Sequence, residues 1–274
     1  MMKSDVVQRL SGLGLTILLG AWGALPTFAN GANAITLAAP GEFVDVQRLA
    51  PSIQLEMRYS SDDNFVGERV EGYEASVCYL AKPAAEALAA LQQSVIADGF
   101  SLMMFDCYRP QRAVDHFVRW SMDPSQTTKN DYYPRIDKSA LFDQGYIAYR
   151  SGHTRGSTID VGLIRQSEAS WNPSQPNDAV RPRVCQAHFE QSRASGHVDF
   201  GSDYDCFDEL SHTNSPLVSE EARANRAYLV KKMSEFGFVN YDKEWWHFTF
   251  KPERFPNTYF DFPIRNQASE AGQD

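Results

Sequence analysis

Ser151-Gly152-His153-Thr154-Arg155-Gly156-Ser157-Thr158-Ile159-Asp160 runs from a glycine-punctuated turn into the apolar stretch Ser157 to Leu163, and its reading decides the fold. Gly152 and Gly156 mark the turn, and the stretch after them reads as a strand carrying Asp160. His153 and Asp160 are seven positions apart, too far for one helical turn. A turn folding back onto a strand would let both side chains converge on one point. Taken alone, a histidine and an aspartate at this spacing read more readily as structural.

A second stretch, Glu244-Trp245-Trp246-His247, changes that weighting. Its acid and imidazole are three apart, which on an ideal strand puts them on opposite faces. Both can serve one site only if Glu244 lies before the strand or a bulge turns it, so a break is expected near Trp245. Together the two stretches offer His153, Asp160 and His247 as ligands, with Glu244 left over as a base. Three protein ligands, an open fourth position and a nearby Glu form the pattern of a catalytic zinc site, here one Zn2+ per chain. The adjacent tryptophans would give it a desolvated wall.

Working outward, Ile53, Leu55 and Met57 alternate with polar residues and read as a strand. Pro83 opens a helical run with apolar Ala84, Ala87, Leu88, Leu91 and Val95, closed by Gly99. Leu102 to Phe105 suits a buried strand that delivers Asp106-Cys107-Tyr108-Arg109-Pro110, and Pro110 can start a second helix through Trp120. Arg109 therefore stands at a strand-to-helix junction, where side chains often reach a site. Its guanidinium suits an oxygen that turns anionic in a tetrahedral intermediate, and a structural salt bridge to Asp106 is the alternative. Asp123 to Tyr146 is polar and turn-rich, a loop region. Gln166 to Asp205 is rich in Ser, Pro, Asn and Gly and reads as a lid or a stapled surface excursion. Ser219 is expected to cap a helix running to Phe236, with Gly237 as its stop, and Trp246 to Phe250 to form the last core strand. His116 falls in a helix and His188, His197 and His212 in loop-like sequence, so none is taken as a ligand.

At 274 residues with 43% hydrophobic content, the chain can bury one sizeable core. A formal charge of -9 and the lack of a dense basic run exclude nucleic acid as a partner. Lys3 and Arg9 precede an apolar stretch from about Leu13 to Leu25, then Pro26 and small residues, the layout of a secretory signal peptide. Cleavage after Ala29 or after Ala34 satisfies the small-residue rule, leaving a domain over 35–274 with an insertion at about 166–205. A retained membrane anchor is the alternative, but the apolar run is shorter than the ~20 residues that span a bilayer; no later stretch is apolar enough to cross one, so no stable membrane insertion is expected after processing. The protein is read as exported, periplasmic or secreted.

Four cysteines follow the leader: Cys78, Cys107, Cys185 and Cys206. In an oxidising compartment they are expected to pair, and three connectivities are possible. Cys185 with Cys206, closing the polar insertion, and Cys78 with Cys107 are favoured. Cysteine as a zinc ligand is the alternative, but no C-x-x-C pair is present.

The S-x-H-x-x-G-x-x-x-D stretch, the later E-W-W-H and the D-C-Y-R-P segment resemble the D-alanyl-D-alanine dipeptidases. These are zinc peptidases related to bacterial D,D-carboxypeptidases and to the zinc-bearing signalling domain of Hedgehog proteins. The likeness runs from about Tyr59 to the tail Pro256-Asn257-Thr258-Tyr259-Phe260-Asp261-Phe262-Pro263. By position it implies zinc ligands His153, Asp160 and His247, the base Glu244 and the transition-state residue Arg109. It suggests Tyr59, Ser151 and Asp205 as substrate contacts, with Asp205 suited to a substrate ammonium. The chain departs from the pattern at Thr158, where a small residue such as Ala is common, and in the long insertion with its two cysteines, which could reshape the pocket.

The expected fold is a single α+β domain with a mainly antiparallel central sheet, packed helices and a zinc site at one edge. The resemblance implies hydrolysis of a small D,D-dipeptide. The alternatives are a D,D-carboxypeptidase or endopeptidase acting on longer wall peptides, and a noncatalytic zinc module that binds a partner.

Overall fold

In a computed structural model, the described residues are 34–36, 41–166, 185 and 196–266. All but the last residue of the expected leader, 1–34, and most of the expected insertion, with His188, lie outside them. The elements are β1 (Ala34–Thr36), β2 (Phe43–Asp45), α1 (Val46–Leu49), β3 (Gln54–Leu55), β4 (Tyr79–Ala81), α2 (Lys82–Ala97), β5 (Phe100–Asp106), α3 (Gln111–Met122), α4 (Lys129–Tyr132), β6 (Thr158–Arg165), α5 (Glu220–Glu235), β7 (Phe238–Asn240), β8 (His247–Phe250) and β9 (Thr258–Phe260). The main sheet has the order β3-β5-β6-β8-β7. Only the β3–β5 pair is parallel, so the sheet is mainly antiparallel and the fold is α+β.

Helix α2 forms where Pro83 supplies a preset first turn, and it buries Ala84, Leu88, Leu91 and Val95 along one stripe. Gly99, at φ 86°, ends it, since that left-handed turn suits glycine. Gln92, fully buried on this helix, accepts the backbone N–H of Leu102 at 2.9 Å and locks α2 to β5. Ser219 caps α5 by accepting the Ala222 N–H at 3.1 Å. The two helices lie against each other, with Tyr228 bonded to Asp98 and Lys232 to Ser94.

The strand expected at Ile53 to Met57 is only Gln54–Leu55, because Arg58–Ser60 turns into a 3-10 helix that ends the extended run. That turn places Tyr59 inside the molecule, 1% exposed. A strand that the sequence pattern does not predict, β7, three residues long, follows Gly237 and pairs with β8. The loop expected over Asp123 to Tyr146 contains the single turn of α4, which stops at Tyr132 ahead of Pro134.

Candidate metal and peptidase site

The register of the central strands builds the site. Asp106 on β5 pairs with Asp160 on β6, and Asp160 pairs with His247 on β8. Residues paired directly across strands point to the same face, so the three form a row. The register shifts between Met104 and Asp106, leaving Phe105 as a bulge beside the row. The edge that carries the site is thus the row of strand ends where β5 finishes and β6 begins, not an outermost strand.

His153 reaches the row from a 3-10 turn, His153–Arg155, that precedes β6. Gly156 closes that turn at φ 78°, and any Cβ there would overlap the Phe43 ring. The Nδ1 of His153 lies 2.8 Å from the carbonyl oxygen of Cys107. A carbonyl only accepts, so Nδ1 carries the proton and Nε2 presents its lone pair.

Glu244 comes in from a tight turn ahead of β8, in which the His247 N–H donates to the Glu244 carbonyl at 3.2 Å. This turn brings acid and imidazole to one side despite their odd spacing, with Glu244 Oε2 3.4 Å from His247 Nδ1. Arg109 donates from Nε to Asp106 Oδ2 at 2.9 Å and lies over the rings of Tyr59 and Phe117, each 5.1 Å away. The salt bridge and the site role are therefore compatible, since the pair to Asp106 aims the guanidinium at the cavity. Also lining the cavity, Tyr59 donates to Asp205 Oδ2 at 2.8 Å. Asp205 is 4% exposed and, at φ 61°, is the sole non-glycine residue in the left-handed region among the described residues. Ser151 Oγ accepts the His153 N–H at 3.3 Å, a local brace for the ligand turn.

All eight expected site residues, Tyr59, Arg109, Ser151, His153, Asp160, Asp205, Glu244 and His247, line one cavity of about 500 Å3. Phe142, Asp143 and Gly145 to Tyr149 also line it. His116 instead bonds Glu68 and the Glu71 N–H, and His212 faces the Tyr146 hydroxyl.

The donor set fits a metal. His153 Nε2, His247 Nδ1 and Asp160 Oδ1 form a triangle with sides of 3.3, 3.3 and 3.0 Å. A tetrahedron with bonds of about 2.0–2.1 Å has edges of about 3.3–3.4 Å. Asp160 Oδ1 is buried and receives no hydrogen bond from any described residue, an orphaned acceptor facing two imidazoles. Burial would raise the Asp160 carboxyl, but His153 and His247 beside it hold it well below the usual carboxylate range. Burial lowers the His247 imidazole despite Asp160, which favours the neutral form that a ligand needs. Glu244 is pushed well up by burial and then by the charges of Asp160 and Asp205, so it has a strong affinity for a proton.

Several supporting residues escaped the sequence reading. Asp106, fully buried, accepts from Tyr73 at 2.7 Å as well as from Arg109 and lies 3.4 Å from His153 Nδ1. Tyr204 donates to Asp160 Oδ2 at 3.1 Å. A buried acid at the end of a strand next to Arg109 was the one available signal for Asp106. Tyr204 had none. Both favoured disulfides are present, Cys78–Cys107 and Cys185–Cys206, with Cα separations of 5.3 and 4.8 Å. The first directly braces the residue whose carbonyl holds His153.

Comparison with known proteins gives the family. A family model described as D-ala-D-ala dipeptidase matches residues 40–172 and 174–265. A D-alanyl-D-alanine dipeptidase of Streptomyces coelicolor is 37% identical over 225 residues, 82% of this chain and 98% of the relative. Those of Enterococcus faecalis and Enterococcus faecium are 34% and 32% identical, each over 81% of this chain and 98% of their own length. The chain belongs to the D-Ala-D-Ala dipeptidase family of metallopeptidases.

Proposed function

We propose that this chain is a zinc-dependent D,D-dipeptidase that hydrolyses free D-alanyl-D-alanine outside the cytosol. The observation that carries this reading is the shared cavity, in which a buried acid, Asp205, stands with the donor triangle, Glu244 and Arg109. The relatives' names supply the dipeptide, and Asp205 supplies a reason for it, because a buried carboxylate is satisfied by a substrate's free ammonium.

His153, Asp160 and His247 would hold the zinc. When bound, it supplies Lewis acidity, polarising the scissile carbonyl and bringing the pKa of a water toward ~7. Glu244 accepts the proton of the attacking water and returns it to the leaving amine, a double duty suited to a carboxylate whose proton affinity is raised. Arg109, held by Asp106 and two rings, presents a permanent positive charge to the oxygen that becomes anionic. Asp205 pairs with the ammonium while Tyr59 steadies its carboxylate. The Ser151 hydroxyl keeps its proton for the substrate, since its oxygen is the acceptor for His153. Trp246 excludes water from the wall beneath.

Two disulfides support an exported protein, and no helix among the described residues is long and apolar enough to cross a membrane. Of the two cleavage positions, the one after Ala29 leaves β1 whole, whereas the one after Ala34 removes the residue paired with Thr258. Wall-derived D,D-peptides are then the accessible substrates. Active, unprocessed protein found in the cytosol on fractionation would overturn this part.

The deciding assay compares D-Ala-D-Ala, L-Ala-L-Ala and an N-acylated D-Ala-D-Ala, using zinc-loaded mature protein with Glu244→Ala as control. Turnover of the free D,D-dipeptide alone is the expected result. A cavity of about 500 Å3 is roomier than two alanines need, and this supports a second reading as a D,D-carboxypeptidase on longer peptides. Turnover of the acylated substrate would favour it. Zinc binding with silence on all three would favour a noncatalytic module.

A further inference from the structure

Tyr204 is 1% exposed, just before Asp205, and the chemistry above does not use it. Its ring stacks on Phe105 at 4.8 Å between centroids and meets Trp246 edge-on at 5.5 Å. The bulge residue of β5 and the turn residue before β8 therefore fix its direction. From there its hydroxyl donates to Oδ2 of Asp160 at 3.1 Å. The nearest nitrogen of Arg109 is 3.6 Å from the same oxygen, outside hydrogen-bond range. Oδ1 receives no hydrogen bond from any described residue and faces both imidazoles. One carboxylate thus has one oxygen tied and one bare.

We propose that Tyr204 is a positioning residue for the metal: its hydroxyl ties Oδ2 of Asp160 and so presents Oδ1 alone as a one-oxygen ligand to the His153–His247 pair. The inference rests on reading the donor triangle as a metal centre. Without the hydroxyl, the carboxylate is free to turn about its terminal bond, offer both oxygens or swing toward Arg109. The chain around Tyr204 is built to hold it. Asp203 is paired with Arg58 at 3.1 Å, Asp205 accepts from Tyr59, and Cys206 is bonded to Cys185. With Tyr204 itself, four successive side chains therefore reach four different partners, and the left-handed backbone at Asp205 turns the chain between them. The described end of the insertion thereby reaches the metal ligand itself.

The test is Tyr204→Phe, which keeps the ring packing and removes one oxygen. Zinc affinity of the mature chain, measured by competition with a chelator, should fall about 10- to 100-fold, the usual effect of losing an outer partner of a ligand. The visible absorption of the Co2+-loaded variant should weaken as the aspartate gains a second bonded oxygen. Tyr59→Phe is the control: it removes a buried hydroxyl from Asp205 without touching Asp160 and should leave zinc affinity unchanged. A folded Tyr204→Phe protein with wild-type zinc affinity and Co2+ spectrum overturns the proposal, as does equal weakening in both variants. If Tyr204→Phe does not fold, the wild type serves instead, because the protected hydroxyl proton of Tyr204 should shift in proton NMR on zinc addition, and a proton unmoved by zinc overturns the proposal. A wild-type chain that binds no zinc at all overturns the metal reading as well, which separates the two failures.

Discussion

The two walls of the cavity are made in different ways. On the metal wall, Asp106, Asp160 and His247 stand in register across three strands, so backbone ladders set their spacing. On the other wall, beside it, Tyr59 and Asp205 come from a 3-10 turn and a loop, and one side-chain hydrogen bond, ring packing and the Cys185–Cys206 bond hold them together. Ladder geometry is shared by many bonds and survives most single changes; a wall of side-chain contacts yields in steps. The metal wall should therefore lose function abruptly, when a proposed ligand, the proposed base, or a residue that directly holds a ligand is struck. The loop wall should lose substrate affinity by degrees.

The strongest challenge to this contrast is Glu244→Ala. Turnover should fall on the order of 10^2- to 10^4-fold, with zinc content by metal analysis unchanged. Equal loss of metal would make Glu244 a ligand and enlarge the metal wall. The disulfides sharpen the contrast next. Each closes a loop of 29 or 21 residues, so replacing either pair with serine should cost about 3–4 kcal/mol by loop-closure entropy, read from denaturant melts. The two losses should differ in kind. Without Cys78–Cys107, the Cys107 carbonyl loosens its hold on His153 and zinc affinity should drop. Without Cys185–Cys206, KM should rise more than zinc affinity falls. Equal effects on zinc would erase the distinction between the walls.

Gly156→Ala is a smaller blow to the metal wall. The new methyl meets the Phe43 ring in a left-handed turn, and overpacking of this sort costs about 1–3 kcal/mol, visible as a lower Tm. The smallest effect is one of pH. Burial would raise the Glu253 carboxyl, but Arg155, on the ligand turn, and then Lys251 hold it below the usual range. A depressed folded-state pKa gives stability that is present above the unfolded value of about 4.3 and is lost as pH falls through the lower folded value. Tm measured below about pH 4.3 should accordingly fall less steeply in Glu253→Gln than in the wild type.

Legibility in the sequence followed the same division. Helices α2 and α5 could be read almost to the residue because Pro83, Gly99, Ser219 and Gly237 are local stop and start signals. The break before His247 was legible because an acid and an imidazole three apart cannot share a strand face, and the chain resolves this with a turn closed by the Glu244 carbonyl. The strand at Ile53 to Met57 was overread, since alternation carries no sign of the turn at Arg58 that buries Tyr59. Asp106 was seen only as a partner for Arg109, although it also receives Tyr73 and lies beside His153. Tyr204 could not be found, because its partner is 44 positions away and a tyrosine in polar sequence looks like any other.

The sequence by itself pointed to the long helices, the central strands and the His, Asp and Glu side chains of the candidate site, because turn residues, strand periodicity and the chemistry of those side chains are local properties. Tertiary structure alone decided which oxygen of Asp160 is left bare, which nitrogen of His153 faces it, and how Asp205 comes to share their cavity. Each of those depends on a donor or acceptor brought from a distant part of the chain, and hydrogen bonds between distant residues leave no mark in local sequence pattern.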